Sequence, residues 1–267
     1  MTESQPITML TPEQLRQNYN RAMERIGDEY IAVRWGNSPT QRRHFRQTQA
    51  SLSHALSSAS LGEVLEVGCG PAVWTPMVLG PSRRLTLLDI SDEMLSAARR
   101  ALGDEPKVGY LRADFVDADL PAGSFDTALS VRAFEYMPDK PAALRQFARV
   151  LRPGSTLILV TKNAGWRDHV TAQRAVAGQP ADRIPDTVRM QAGVIGWAAL
   201  RAMALESGFA TAEVSPTVIG SYSRFSRTRP AMWFFDRLHA RSCRRPMVPA
   251  LDPLTESVTL VARVPGR

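Results

Sequence analysis

The chain has 267 residues, 44% hydrophobic and 22% charged, the balance of an ordinary soluble globular protein long enough for one sizeable core with insertions. Its net charge of +7 permits an anionic partner without identifying one. No run approaches the roughly 18 uninterrupted apolar residues of a membrane span, and Met1 to Thr11 has neither the basic nor the apolar part of a secretory leader. Two cysteines, Cys69 and Cys243, suit neither a disulfide framework nor a zinc pattern, so a cytoplasmic protein without a metal site is the expectation.

Residues 1–10 read as a loose tail. From Thr11 to about Leu56 the chain is helical in character: Thr11 is a good N-cap, Pro12 suits the first helical position, and Gln14 completes a capping box. Gly36-Asn37-Ser38-Pro39 is expected to divide this region into two helices. The second carries Arg42, Arg43, His44 and Arg46, which reads first as a solvated face and second as an anion contact.

Val64-Leu65-Glu66-Val67 then has buried-strand character and runs into Gly68-Cys69-Gly70-Pro71, with a helix expected after it. A strand feeding a glycine turn at a helix start lets the backbone approach a ligand closely and offers unpaired N–H donors. Arg84 to Asp89 is a second strand ending in an acid, about 20 residues past Gly68, the separation at which a carboxylate meets a ribose in dinucleotide folds. Ser91 caps a helix running to about Leu102. Lys107 to Arg112, Ser124 to Ser130 and Thr156 to Thr161 are three more strands. A helix from about Pro141 to Leu151 stops at Arg152-Pro153-Gly154. Such alternation implies a parallel sheet with helices on both faces.

Lys162 to Ala192 lacks long periodicity and holds Trp166, Asp168 and His169; an excursion from the carboxyl end of a strand is where lids sit. Val194 to Ser207 reads as a helix, and Ala210 to Val214 and Ser257 to Val264 as the last strands. Between these, Tyr222 to Pro246 carries seven arginines against the single acid Asp236, around an apolar centre from Met232 to Leu238.

In five ordered motifs the chain resembles class I S-adenosylmethionine-dependent methyltransferases, in particular those acting on small molecules and lipids. The motifs are Val64 to Pro71, Leu88 to Leu95, Ala113-Asp114-Phe115, Ser124-Phe125-Asp126 and Arg149 to Ser155. The resemblance implies an α/β, Rossmann-like, doubly wound and mostly parallel seven-stranded sheet with an antiparallel last strand, an N-terminal helical cap (1–60) and an inserted lid. The methyltransferase domain then spans 61–267, with insertions at about 162–192 and 220–250. It implies S-adenosylmethionine as cofactor, its methionine part held by Glu66, Gly68, Cys69 and Gly70, its ribose by Asp89, and its adenine by Ile90, Met94, Asp114 and Phe115. Ser130, Val131 and Arg132 are implied near the methionine end. Ala72 departs from the family, which often has a third glycine there.

Methyl transfer from a sulfonium needs alignment above all, and a general base only where the acceptor must lose a proton. Glu135 and Tyr136, after the fourth strand, and His169, in the expected lid, are the candidate catalytic groups; Tyr19, Tyr30 and Trp35 belong to the expected cap. The acceptor reads as a small molecule or lipid, with an anionic one among the readings. The arginine-rich stretch is open between peripheral membrane contact, anionic substrate, and a packed helix with solvated arginines. An RNA methyltransferase is the competing enzyme reading, disfavoured because Ser130 to Glu135 lacks an Asn/Asp-Pro-Pro-Tyr/Phe type motif; a non-catalytic cofactor-binding scaffold is the third.

Overall fold

The computed structural model describes residues 9–177, 179, 183–184, 186–189, 192–220 and 228–266. Its seven strands are β1 (Glu63–Val67), β2 (Arg84–Asp89), β3 (Val108–Arg112), β4 (Phe125–Val131), β5 (Leu151–Lys162), β6 (Thr211–Ile219) and β7 (Thr255–Arg263). They form one sheet in the order β3-β2-β1-β4-β5-β7-β6. The first five pair in parallel, and β7 lies antiparallel between β5 and β6, as expected for the antiparallel last strand.

Successive side chains on a strand point to opposite faces, and here both faces are apolar. Leu157 and Leu159 of β5 join one core, while Ile158 and Val160 join the other. The first core takes Leu144 and Phe147 from α5 (Lys140–Val150) and Leu200 from α8 (Trp197–Glu206). The second takes Leu52 from α2 (Pro39–Leu56), Val78 from α3 (Pro76–Leu79) and Leu95 from α4 (Asp92–Leu102). Each fully buried leucine contributes on the order of 2 kcal/mol by area removed from water, so burial on two faces carries the fold. Strand order reverses between β1 and β4. The crevice of an open α/β sheet opens at the carboxyl ends of the strands flanking such a reversal.

Helix α1 (Pro12–Ile26) forms the cap. Its capping box is complete: Gln14 N donates to Thr11 Oγ1 at 3.3 Å and Thr11 N to Gln14 Oε1 at 3.0 Å. Met23 packs against Met94 and Ala97 of α4, and Ser91 Oγ donates to Asn20 Oδ1 at 2.6 Å. These contacts set α1 over the carboxyl end of β2.

Several expectations are corrected. The first helix ends at Gly27 rather than Gly36, because Gly27 takes a left-handed φ of 55°; a 3₁₀ turn and a π-helical turn (Ala32–Gly36) lead to Ser38, which caps α2. Leu10 is buried, so the segment before α1 is not loose at that point. The glycine turn is followed by turns and only the four-residue α3, which begins at Pro76, a residue without the N–H that a longer helix running through it would need. Helix α5 stops at Val150 as expected, but Arg152 to Gly154 belong to β5, where its register against β4 shifts between Leu151 and Thr156. Arg43 and His44 are buried rather than solvated. The Lys162 to Ala192 excursion holds α6 (Arg167–Val176) and α7 (Asp186–Arg189). The tail over 1–8, parts of that excursion, and Tyr222 to Arg227 of the arginine-rich stretch lie outside the described residues.

Candidate active site

The loop after β1 is stitched to the end of β2. Gly68 N donates to Leu88 O at 2.7 Å and Gly70 N to Asp89 Oδ2 at 2.9 Å. Gly68 and Gly70 have φ of 69° and 54°, a region open to glycine at little cost. A Cβ on Gly68 would also run into that of Ala133. Ala72, where the family often has glycine, likewise has a positive φ of 61°. Alanine is therefore accommodated there in a glycine-favouring conformation, at a cost of roughly 1 kcal/mol.

Asp89 is buried at the end of β2, and its Oδ1 accepts the Ser91 N–H at 2.9 Å. Burial raises its pKa, and the backbone N–H groups of Ser91 and Gly70 work against that rise. The backbone contacts leave part of the carboxylate's acceptor capacity open to a ligand. Asp89 thus holds the loop and offers acceptors at once.

A cleft of about 1030 Å³, its open mouth included, lies above this loop. Gly68, Cys69, Gly70, Asp89, Ile90, Met94, Asp114, Phe115, Val131, Arg132 and Tyr136 all line it, on the loops after β1, β2, β3 and β4. The opposite wall is the cap: Leu15, Tyr19, Tyr30, Arg34 and Trp35. Tyr19 meets Tyr136 edge to face at 5.9 Å, closing cap against floor. Trp35 sits edge-on to Trp74 at 5.3 Å, and Phe45 stacks on Trp74 at 4.9 Å. Burial raises the pKa of Tyr19 and Tyr30 and keeps both phenols protonated, so they present hydrogen-bond donors. Asp114 lines the cleft while its Oδ1 accepts the Val116 N–H at 3.1 Å, which leaves Oδ2 for a ligand.

Three expected site residues lie elsewhere. The Glu66 carboxyl turns beneath the loop, where Oε2 accepts from Thr75 Oγ1 at 2.8 Å. Burial pushes its pKa up to about 8. Glu135 is fully buried and committed: Oε1 accepts from Arg132 Nε at 2.8 Å and Oε2 from Thr161 Oγ1 at 3.1 Å. It does not line the cleft, and a carboxylate bound on both oxygens is a poor base. His169 is buried on α6, away from the cleft. No described residue of the 162–192 excursion lines the cleft. The start of that excursion is clamped to the segments flanking β6 and β7, with Trp166 Nε1 donating to Gly220 O at 2.8 Å and Asn163 Nδ2 to Asp252 Oδ1 at 2.8 Å.

Arg132 links the cleft to the sheet. Its φ of 62° is left-handed, unusual for a non-glycine residue. The guanidinium reaches Glu135 on one side and Glu256 of β7, 3.3 Å away, on the other. Burial opposes its charge, but Glu256 and Glu135 more than offset this and keep it protonated. Burial likewise opposes the Glu256 charge, while Arg132 and Lys162 pull its pKa down to about 2. Two fixed carboxylates over-determine the strained backbone of Arg132. Sequence reasoning missed Arg34, Trp74 and Glu256; the only signal for the first two was their aromatic and basic neighbourhood.

Residues 65–159 match the family model of a methyltransferase domain, spanning β1 to β5 and every floor loop of the cleft. Over residues 65–159 the chain carries the methyltransferase domain of that family. An O-methyltransferase of Penicillium expansum, cnsE, is 32% identical over 160 residues, which are 56% of this chain and 58% of that one. The ubiquinone biosynthesis O-methyltransferase of Xanthomonas oryzae pv. oryzae is 36% identical over 104 residues, 38% of this chain and 43% of that one. The matched part of the chain therefore spans about half the length of these curated relatives. A solved N-methyltransferase, NodS from Bradyrhizobium japonicum WM9 in complex with S-adenosyl-L-homocysteine, superposes with a TM-score of 0.58 at 18% identity, over 93% of this chain and 99% of that one. At that identity the likeness speaks for the fold of the methyltransferase domain alone.

The residues present fit the methyl donor. Asp89 offers two acceptors to a diol, Ile90, Met94 and Phe115 give apolar walls for a flat ring, and the glycine loop admits close backbone approach.

Proposed function

We propose that this chain transfers a methyl group from S-adenosylmethionine to a small-molecule or lipid acceptor held between the glycine loop and the N-terminal cap. The observation that carries the reading is one cleft with two chemically distinct walls. The floor is polar and glycine-lined around Asp89, and the roof is aromatic, with Tyr19, Tyr30 and Trp35. S-adenosylmethionine bound on the floor supplies an electrophilic methyl group on a sulfonium. Asp89 would bind the ribose hydroxyls, Asp114 would accept the adenine amino group, and Ile90 and Met94 would give the ring its apolar walls. Tyr136 and the cap orient the acceptor and exclude water. Among the described residues lining the cleft there is no histidine, lysine or glutamate; the chain works by alignment, on an acceptor oxygen that enters already ionised or gives up its proton to water.

The names of the relatives favour an oxygen acceptor. Arg34 favours an acceptor that also carries an anionic group. It lines the cleft and lies over the Trp35 ring at 5.9 Å, without a carboxylate partner among the described residues, whereas the charge of Arg132 is spent on Glu135 and Glu256. The test is calorimetry with S-adenosylmethionine and its demethylated product, followed by a turnover screen of hydroxylated acids against their neutral counterparts. Failure of both cofactor forms to bind would sink the reading; turnover confined to neutral acceptors would sink the role of Arg34.

A further inference from the structure

We infer that the outer face of α9 (Arg229–Ser242) docks this protein onto an anionic phospholipid surface. The inner face is committed to the fold. Ala231, Phe235, His239 and the following Cys243 recur every four residues and are buried. Ala231 and Phe235 pack on Ile219 of β6, and His239 Nε2 lies 3.2 Å from Ser51 Oγ of α2. With that stripe fixed, 3.6-residue periodicity turns Trp233, Phe234, Arg237 and Arg241 outward, and Arg244 just past the helix end follows them.

Trp233 is 59% and Phe234 52% exposed, the two most exposed large hydrophobic side chains among the described residues. Single exposed apolar residues are common and need no explanation, but two adjacent large aromatics on one helix face do. Arg237, Arg241, Arg244 and Arg245 are all exposed beside them, and the Arg237 guanidinium lies 4.3 Å from the Trp233 ring. Between Thr228 and Leu251 the only acid is Asp236, whose Oδ1 is taken by Gln47 Nε2 at 3.0 Å. The outer face is therefore cationic and aromatic with no opposing charge of its own. Aromatic rings settle at the head-group level and arginines meet anionic head groups, so a helix lying flat in that interface satisfies both. The surface is a convex helix, which suits a membrane plane better than a nucleic acid strand, whose bases stack within a groove. The docking uses no residue lining the cleft and stands apart from the proposed methyl transfer.

The experiment is co-sedimentation of the full chain with vesicles of phosphatidylcholine alone and of phosphatidylcholine with phosphatidylglycerol in roughly equal parts, at low and high salt. The expected result is partition onto the anionic vesicles only, weakened by salt. Each of Arg237→Gln, Arg241→Gln and Arg244→Gln should weaken it about fivefold. Trp233→Ala/Phe234→Ala should lower partition about tenfold or more. All five side chains are exposed, so the variants should bind the demethylated cofactor as the parent does, which calorimetry checks. Equal partition onto both vesicle types, or no loss in the aromatic variant, would overturn the inference. So would a concentration-dependent dimer, or retention of RNA on a filter, that these substitutions abolish while vesicle binding is absent.

Discussion

Asp89 serves two sets of partners: its carboxylate accepts the Gly70 and Ser91 amides, and what acceptor capacity remains is offered to the cleft that it lines. Asp89→Ala removes both sets and should weaken binding of the demethylated cofactor about 100-fold, taking each hydrogen bond to a charged acceptor as worth roughly 1.5 kcal/mol or more. Asp89→Asn keeps one acceptor and should lose about tenfold; calorimetry separates the two. Glu135 is the opposite case, an acid whose place after β4 suggests catalysis and whose contacts assign it to structure. Glu135→Ala leaves Arg132 with Glu256 alone and should cost about 3 kcal/mol of stability, as breaking a buried pair does. The pH profile of kcat/KM should keep its shape. A loss of 100-fold or more in kcat with an unchanged melting temperature would restore Glu135 as a base. Arg34→Gln should raise KM for anionic acceptors about tenfold with kcat unchanged, and Arg34→Lys should lose less, since the cation survives but the planar fork does not.

At the scale of elements, the sheet was legible because its information is local. Strands such as Arg84–Asp89 are short apolar runs bounded by turn formers, and each ends where the chain must deliver a side chain to the crevice. The glycine loop, Asp89 and Asp114 were legible for the same reason: their spacing along the chain fixes their place at the strand ends. The roof was not. Helix α2 buries Arg43, His44, Gln47 and Ser51, a polar face whose partners are distant, such as Ile219 N donating to Gln47 Oε1 at 3.0 Å. Periodicity of apolar residues carries no trace of such a face. Glu135 misled because proximity along the chain to a strand end does not say which way a short 3₁₀ turn points its side chains. The anchoring of the excursion's start was not legible either, because Trp166 and Asn163 find partners some fifty or more residues away. The cap supplies the test at this scale. Trp35→Ala removes the ring that braces Trp74 and Phe45 and should cost about 2 kcal/mol of stability, less than a fully buried aromatic. Acceptor turnover should fall steeply while affinity for the demethylated cofactor changes less than about threefold. A larger loss of cofactor affinity would place the cap on the donor rather than on the acceptor.

Across the whole molecule, buried titratable groups set a pH optimum of stability. Burial depresses the pKa of His44 and His239 to about 4 each. Both imidazoles fold neutral, so the stability they contribute is present above about 6.5, their ordinary value, and is lost as pH falls toward 4. Glu66 runs the other way. Its raised pKa, about 8 against 4.5, means the folded state holds a proton that the unfolded state has released. Its contribution is full below 4.5 and is lost as pH climbs to 8, at about 1.4 kcal/mol per pH unit. Below pH 6.5 two histidines oppose one glutamate and stability falls with acid. Above pH 6.5 the glutamate acts with both histidines already neutral in either state, and stability falls with base. The two limbs place the optimum near pH 6.5. Glu66→Gln keeps an acceptor for the Thr75 hydroxyl and removes the proton linkage. Thermal melts of the cofactor-free variant should therefore be flat between pH 6.5 and 8, where the parent loses roughly 2 kcal/mol. Below pH 6, down to about 4.5, the variant should lose stability more steeply than the parent, by roughly 2.7 against 1.4 kcal/mol per pH unit, because the glutamate no longer opposes the histidines. If the alkaline limb persists in the variant, the linkage lies in another group, and Asp89, whose pKa burial also raises, is the next to replace.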